Sequence, residues 1–437
     1  MSVPHKGLAH DEVLQRMKEM RSEDARWKEG KTFSLVYYAG EEISALVKDA
    51  YTMFMAENGL SPLAFNSLRR FETEVVAMAA DLFHGGTEAA GTMTSGGSES
   101  ILMAVKTARD WARAERGVTE PEMVLPITVH PAFEKAAHYF GVKAVHAPIG
   151  RDFRADVDEM EKRITDRTIL VVGSAPAYPH GAIDPIEEIA ALAKRRGLLC
   201  HVDACVGGFL LPWAKRLGYP IPKWDFEVDG VTSISADLHK YGFAAKGASV
   251  LVFRNAALRR HQFFTYGEWP GGLYASPSMT GTRPGGAIAA AWAVMHFLGE
   301  EGYLKLARQI LDTTRTFREG IAAIPGLRIC GEPAMSVFAF EATDFDVYAL
   351  GDAMEAKGWK LDRQQRPPTL HLMITPAHAL IADQFLADLR ACAASLQRGE
   401  PAPEGSAAMY GMAGAMPAEA LDGFLLDFID GLYGTPA

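Results

Sequence analysis

Cysteine is scarce and scattered. Four occur in 437 residues, Cys200, Cys205, Cys330 and Cys392, and none shows the C-x-x-C spacing of a metal knuckle or redox pair. A disulfide framework and a cysteine-based metal site are therefore not what organises this chain, and a reducing, cytoplasmic setting fits best. Long apolar runs are missing too. No stretch approaches the twenty residues of a membrane span, and the opening MSVPHKGLAHDEVLQRMKEMRSEDARWKEGK is charged throughout, without a signal-peptide core. A soluble protein is expected. Excess positive charge is absent: 44 Lys and Arg stand against 54 Asp and Glu, a net charge of -10. Nucleic acid and anionic membranes are thus not expected as main partners, although a local pocket can still collect a phosphate. No internal repeat is found.

What remains is an ordinary globular composition, 48% hydrophobic and 22% charged, in a chain long enough for two domains or more. Residues 10–29 carry Val13, Leu14, Met17 and Met20 at helical spacing among charges. An extended segment through Tyr37 and Tyr38 follows, then helices near 41–57 and 67–83, separated by the turn Asn58-Gly59-Leu60-Ser61-Pro62. From 123 to 255 short apolar runs alternate with helical stretches. Strands are expected at 123–129, 144–148, 168–172, 198–202, 231–235 and 249–253, which argues a mostly parallel sheet covered by helices. After a loop-rich stretch to 283 comes an apolar helix over 286–298. Beyond 303 the pattern is that of a smaller α+β domain with strands near 327–340 and 368–374. The expected division is an N-terminal segment 1–57, a large domain 58–300 and a small domain 301–437.

Two strand ends carry chemistry. His201-Val202-Asp203-Ala204 closes one apolar run, and Asp237-Leu238-His239-Lys240 follows another, with Lys246 six residues on. Ligands of open α/β sheets bind at the carboxyl ends of strands. A Lys and an Asp delivered there suit pyridoxal phosphate: the amine forms a Schiff base, and the carboxylate keeps the pyridine nitrogen protonated. Each residue also has a plainer reading, as a surface Asp or cap and a solvated Lys. Ser95-Gly96-Gly97-Ser98 opens a helix and offers free N–H groups to an anion, though it is also a respectable helix start. His130, after the 123–129 run, suits either stacking on a ring or a half-buried packing role.

Together GTMTSGGSESILMAVK, VHPAFEKAAHYFGV, HVDACVGGFLLPW, VTSISADLHKYGFAAKGASVLVFR and WPGGLYASPSMTGTRPGG resemble the sphingosine-1-phosphate lyases. These belong to the pyridoxal phosphate-dependent decarboxylase branch of the fold type I, aspartate-aminotransferase-like enzymes. The resemblance runs from about Gly30 to about Gly299. It implies an α/β fold with a mostly parallel sheet and a smaller α+β C-terminal domain, pyridoxal 5′-phosphate as cofactor, and no metal. Lys240 is implied as the Schiff-base lysine, Asp203 with neighbouring Ala204 as the pyridine partner, and His130 as the residue stacking on the ring. Ser95, Gly96, Gly97, Ser98 and His239 would cradle the cofactor phosphate, joined by Thr282 from the neighbouring subunit of a homodimer. Lys246 would bind the substrate phosphate. Tyr37, Tyr178, Asn58, Ser61 and His201 would line the substrate site, with Tyr37, Lys240 or the cofactor phosphate as the base. Family members usually carry Asn-Pro-Leu-His where this chain has Asn58-Gly59-Leu60-Ser61. Ser61 can hydrogen-bond a phosphate but offers neither a cation nor a base.

The implied reaction is retro-aldol cleavage of a phosphorylated sphingoid base to a long-chain aldehyde and phosphoethanolamine. The alternatives are an amino-acid decarboxylase or β-hydroxy-amine aldolase on the same Lys240 and Asp203, and a non-catalytic binding protein of this fold. The implied form is a soluble bacterial type without the membrane anchor of eukaryotic members. It is expected in the cytoplasm, with a secreted effector role as the other option.

Overall fold

A computed structural model describes residues 2–434. Its frame is a seven-stranded sheet: β1 (Ala90–Thr94), β2 (Glu122–Pro126), β3 (Lys143–Ala147), β4 (Thr168–Ser174), β5 (Leu199–Asp203), β6 (Ser233–Ala236) and β7 (Ser249–Phe253). The spatial order is β1-β7-β6-β5-β4-β2-β3. β6, β5, β4, β2 and β3 pair in parallel, while β7 runs antiparallel to both its neighbours. Parallel strands are covered on both faces, so they read as unbroken apolar runs. Every residue of β4, Thr-Ile-Leu-Val-Val-Gly-Ser, is buried.

Helices α1 (His10–Met20), α2 (Glu41–Met53), α3 (Asn66–Leu82) and α4 (Gly97–Arg116) occupy the N-terminal part. No residue of α1 is buried, and its Met17 and Met20 are exposed. The helical pattern expected to reach 29 breaks after Met20 into two short 3-10 turns. α2 and α3 pack on the long helix Gly285–Ala322, which bends at Gly299 (φ 52°, ψ -168°). That φ lies in the left-handed region, where glycine avoids the Cβ clash. A second helical stretch follows this break and runs to Ala322, so the expected helix end at 298 and the boundary placed at 300 fall beside Gly299.

The C-terminal part has its own antiparallel sheet, β10 (Leu327–Ile329), β11 (Val337–Ala342), β12 (Asp362–Gln365) and β13 (Pro368–Met373), in the order β10-β11-β13-β12. The two short strands β8 (Phe264–Tyr266) and β9 (Tyr274–Ser276) form a separate hairpin. The C-terminal core gathers Phe338, Phe340, Trp359, Leu370 and Phe385. Phe33 joins that core, 4.5 Å from the His378 ring, and Thr32 bridges to Lys360. The stretch around Phe33 therefore packs against the small domain, while Tyr37 packs against the large core.

Candidate active site

The turn between β1 and α4 forms the floor of the site. Thr94 Oγ1 lies 2.6 Å from Ser100 Oγ, which lies 2.9 Å from Ser249 Oγ on β7. Glu99 accepts from the Ser95 N–H at 2.6 Å and the Met279 N–H at 2.8 Å, holding the turn to the loop before the long helix. Bidentate Arg283–Glu72 contacts of 2.6 and 2.9 Å fix that loop to α3. A Cβ at Gly97 would stand 2.7 Å from Cys205 Sγ and 2.8 Å from an Asp237 carboxylate oxygen. Only glycine fits there, and the open backbone at the start of a 20-residue helix directs its N–H groups and positive dipole end outward.

Strands β5 and β6 end beside this turn. Asp203 is buried, and its Oδ1 accepts from the Cys205 N–H at 3.0 Å and the Ser235 hydroxyl at 3.4 Å. Lys240 Nζ lies 2.9 Å from Asp237 Oδ2, while Asp237 Oδ1 is buried without a partner. Burial works against the Lys240 charge, but Asp237 outweighs it and holds the ammonium above the usual lysine range. His239 is pushed down to about 4, by burial first, and is neutral at neutral pH. Ser95, Gly96, Gly97, Ser98, His130, Cys205, Asp237, His239 and Lys240 line one cavity of about 340 Å³. His130 Nδ1 accepts from the Ala132 N–H at 3.1 Å, which leaves its ring open to the cavity.

His239 is also part of the wall of a second cavity, about 390 Å³, lined mainly by apolar side chains with Tyr37 and Lys246 among them. Lys246 Nζ stands 5.2 Å from the centre of the Tyr37 ring and 3.4 Å from the His239 carbonyl. Burial, then Lys240, lowers Lys246 to about 8. Burial, then Tyr241, holds the Tyr37 phenol well above its usual range. Tyr37 thus keeps its proton and acts as a donor; a base role at neutral pH does not suit it. Tyr178 donates to Asp362 Oδ2 at 2.9 Å and stacks on His371 at 4.4 Å.

One expectation needs correction, and Tyr178, Asn58 and Ser61 lie outside both cavities of their own chain. His201 is fully buried behind Asp203, bonded to Ser233 Oγ at 2.8 Å and Ser235 Oγ at 3.1 Å, so it cannot touch a substrate. It shares a strand face with Asp203, as the two-residue spacing requires, but that face is packed there. Asn58 bonds Thr282 Oγ1 at 3.3 Å and accepts from the Arg283 N–H, and Thr282 is exposed. Sequence reasoning missed Asp237, Glu99, the Arg283–Glu72 pair and Asp362. Asp237 carried a signal, its i,i+3 spacing to Lys240. A further group, His84, Asp225 and Glu227, has metal-type ligands but shares no residue with either cavity, and Glu227 is paired with Lys215.

The chain from residue 2 to 343 matches the model of the pyridoxal-dependent decarboxylase conserved domain. It is 45% identical to a sphingosine-1-phosphate lyase of Arabidopsis thaliana, over 99% of this chain and 81% of that protein. A sphingosine-1-phosphate lyase of Rattus norvegicus is also 45% identical, over 99% of this chain and 77% of that one. The solved structure of a sphingosine-1-phosphate lyase from Burkholderia pseudomallei superposes with a TM-score of 0.92 at 37% identity, covering 100% of this chain and 98% of that one. The chain belongs to the pyridoxal-dependent decarboxylases and, within them, to the sphingosine-1-phosphate lyase family. Its fold is that of the fold type I enzymes, and its cofactor is pyridoxal 5′-phosphate. The site fits that group: a glycine cradle at a helix start and a half-buried lysine in one cavity.

Proposed function

We propose, from that membership and the pair of adjoining cavities, that the protein cleaves phosphorylated sphingoid bases to a long-chain aldehyde and phosphoethanolamine. The observation that carries the reading is Lys246, a cation over Tyr37 in the cavity beyond His239. A decarboxylase acting on a plain amino acid has no need of a second cation there.

Lys240 would hold the cofactor covalently, with the turn from Ser95 to Ser98 and His239 around its phosphate and His130 against its ring. When bound, pyridoxal phosphate supplies a carbonyl that condenses with the substrate amine and a ring that accepts the electrons of the broken bond. Asp203, fixed by Cys205 and Ser235, would keep the ring nitrogen protonated. Lys246 binds the substrate phosphate, with Tyr37 beside it in the cavity wall. With Tyr37 kept protonated, removal of the C3 hydroxyl proton would fall to the Lys240 amine. Only interactions stronger in the transition state raise the rate; Lys246 contacts a group remote from the bond that breaks, so its loss acts mainly on binding.

The site is completed in a homodimer. Exposed apolar side chains, Leu63, Phe264, Trp269, Leu273 and Met279, flank the segments of Asn58 and Thr282. Thr282, Asn58 and Ser61 would serve the partner's cavity and not their own. Among the described residues no helix is long and apolar enough to cross a membrane. The four free, buried cysteines suit a cytoplasmic setting.

The test is Lys246→Ala. A charge-assisted contact is worth about 1.5–3 kcal/mol, so KM for the phosphorylated base rises about ten- to a hundredfold. Cofactor absorbance stays unchanged. An unaltered KM removes the role of Lys246 and with it the main support for this substrate class.

A further inference from the structure

Asp237 has no part in the chemistry so far, yet it lines the cofactor cavity. It ends the segment after β6, three residues before Lys240, and is 2% exposed. One carboxylate oxygen takes the Lys240 ammonium at 2.9 Å. The other is buried and has no partner. A Cβ placed on Gly97 would meet both oxygens, at 2.8 and 3.0 Å, so the carboxylate sits directly against the anion-binding turn. A fixed anion there is a contradiction. The turn is built for a phosphate, and a carboxylate facing that phosphate repels it.

We propose that Asp237 is the proton acceptor that frees Lys240 for cofactor loading, and that the proton it gains turns it into a hydrogen-bond donor to the cofactor phosphate. Before loading, the pair is a carboxylate and an ammonium. The Lys240 proton crosses the 2.9 Å hydrogen bond to Asp237. The neutral amine then attacks the aldehyde carbon, a C=N bond forms, and the carbonyl oxygen leaves as water with the two remaining N–H protons. Charges balance: one cation and one anion become a neutral link and a neutral carboxylic acid. The unpartnered oxygen thereby becomes useful, because the acid can now donate toward the turn where the phosphate rests.

Before loading, the ion pair holds the proton on Lys240, and loading itself shifts the balance toward Asp237. The groups facing Asp237 are Lys240 and His239 on its own segment, Cys205 after β5, the Ser249 hydroxyl on β7, and, farther off, His130, Tyr37 and Lys246. Burial disfavours the Asp237 charge, and the opposing influence comes first from Lys240, which holds the carboxyl below its usual range. Bonding of Lys240 to the cofactor removes that cation, and the arriving phosphate adds an anion. Both changes favour the protonated acid. His239, 3.6 Å away, is neutral and cannot replace the lost charge.

The inference rests on the cofactor and not on the substrate, so its test is independent of lyase activity. Holoenzyme of wild type, D237N and D237A is stripped with hydroxylamine and reloaded with pyridoxal phosphate, and both the reloading rate and the release on dialysis are followed by cofactor absorbance. Both variants lack the proton acceptor and reload at least about tenfold more slowly at pH 7. D237N keeps a neutral donor and retains cofactor as well as wild type; D237A releases it about ten- to a hundredfold faster. Should D237A fail to fold by thermal melting, D237V takes its place, which likewise has no donor. Reloading of D237N at the wild-type rate or faster, as loss of a carboxylate that only holds the ammonium would give, overturns the acceptor role. Release from D237N as fast as from D237A overturns the donor role and leaves Asp237 as a permanent anion.

Discussion

Lys240 and Lys246 stand six residues apart, and their surroundings push them in opposite directions. Asp237 keeps Lys240 charged, whereas burial and Lys240 itself bring Lys246 down to about 8. Only the protonated form of Lys246 attracts a phosphate. Its charge is complete well below pH 8 and is lost as pH rises through that value. KM for a phosphorylated substrate should therefore climb between pH 7 and pH 9 in the wild type and stay flatter in Lys246→Ala. A parallel rise in both would place the titrating group elsewhere. Lys240→Ala should abolish both the cofactor absorbance and turnover, and turnover without that absorbance would end the assignment. Lys240 and Asp203 were legible because each follows a short apolar run at a strand end. Asp237 was not, since an acid three residues from a lysine reads equally as a solvated surface pair. His201 misled for the opposite reason: its face was right, but only the packed fold shows that Ser233 and Ser235 close over it.

Among the elements, the step from β1 into α4 does most to shape the site. The strand itself escaped sequence reading. Ala-Gly-Thr-Met-Thr has one large apolar residue, and its extended form depends on pairing with β7 across five register positions. β12, Asp-Arg-Gln-Gln, is an edge strand with the same weakness. The buried strands β2, β4, β5 and β7 were legible because burial on both faces demands continuous apolar residues. The glycine at the start of α4 is where this element is most sensitive. Gly97→Ala forces a methyl against Cys205 and Asp237 and should cost about 1–3 kcal/mol of stability. The same methyl fills the anion cradle, so cofactor affinity should fall well beyond what the stability loss accounts for. A titration with pyridoxal phosphate checks this, and unchanged affinity would mean that the phosphate lies elsewhere.

At the scale of the molecule, the two cores are joined by the long helix through Gly299 and by Phe33 crossing from the N-terminal segment. The expected boundary at 300 lies beside the break at Gly299, where a left-handed φ interrupts the helix. The proposed dimer makes a prediction of its own. In a mixture of Lys240→Ala and Thr282→Trp chains, a heterodimer has one site with an intact Lys240 from one chain and an intact Thr282 from the other. Random pairing should restore about a quarter of wild-type activity. Mixing without recovery would mean that each chain completes its own site. Ser61, exposed in its turn and facing no cavity of its own chain, belongs to the same question. The central claim is tested most directly by product analysis. Holoenzyme is given sphinganine 1-phosphate and, separately, a panel of amino acids, with long-chain aldehyde, phosphoethanolamine and carbon dioxide all measured. Aldehyde and phosphoethanolamine in equal amounts, with no carbon dioxide from the panel, is the expected result. Carbon dioxide from an amino acid with no aldehyde from the phosphorylated base would contradict it.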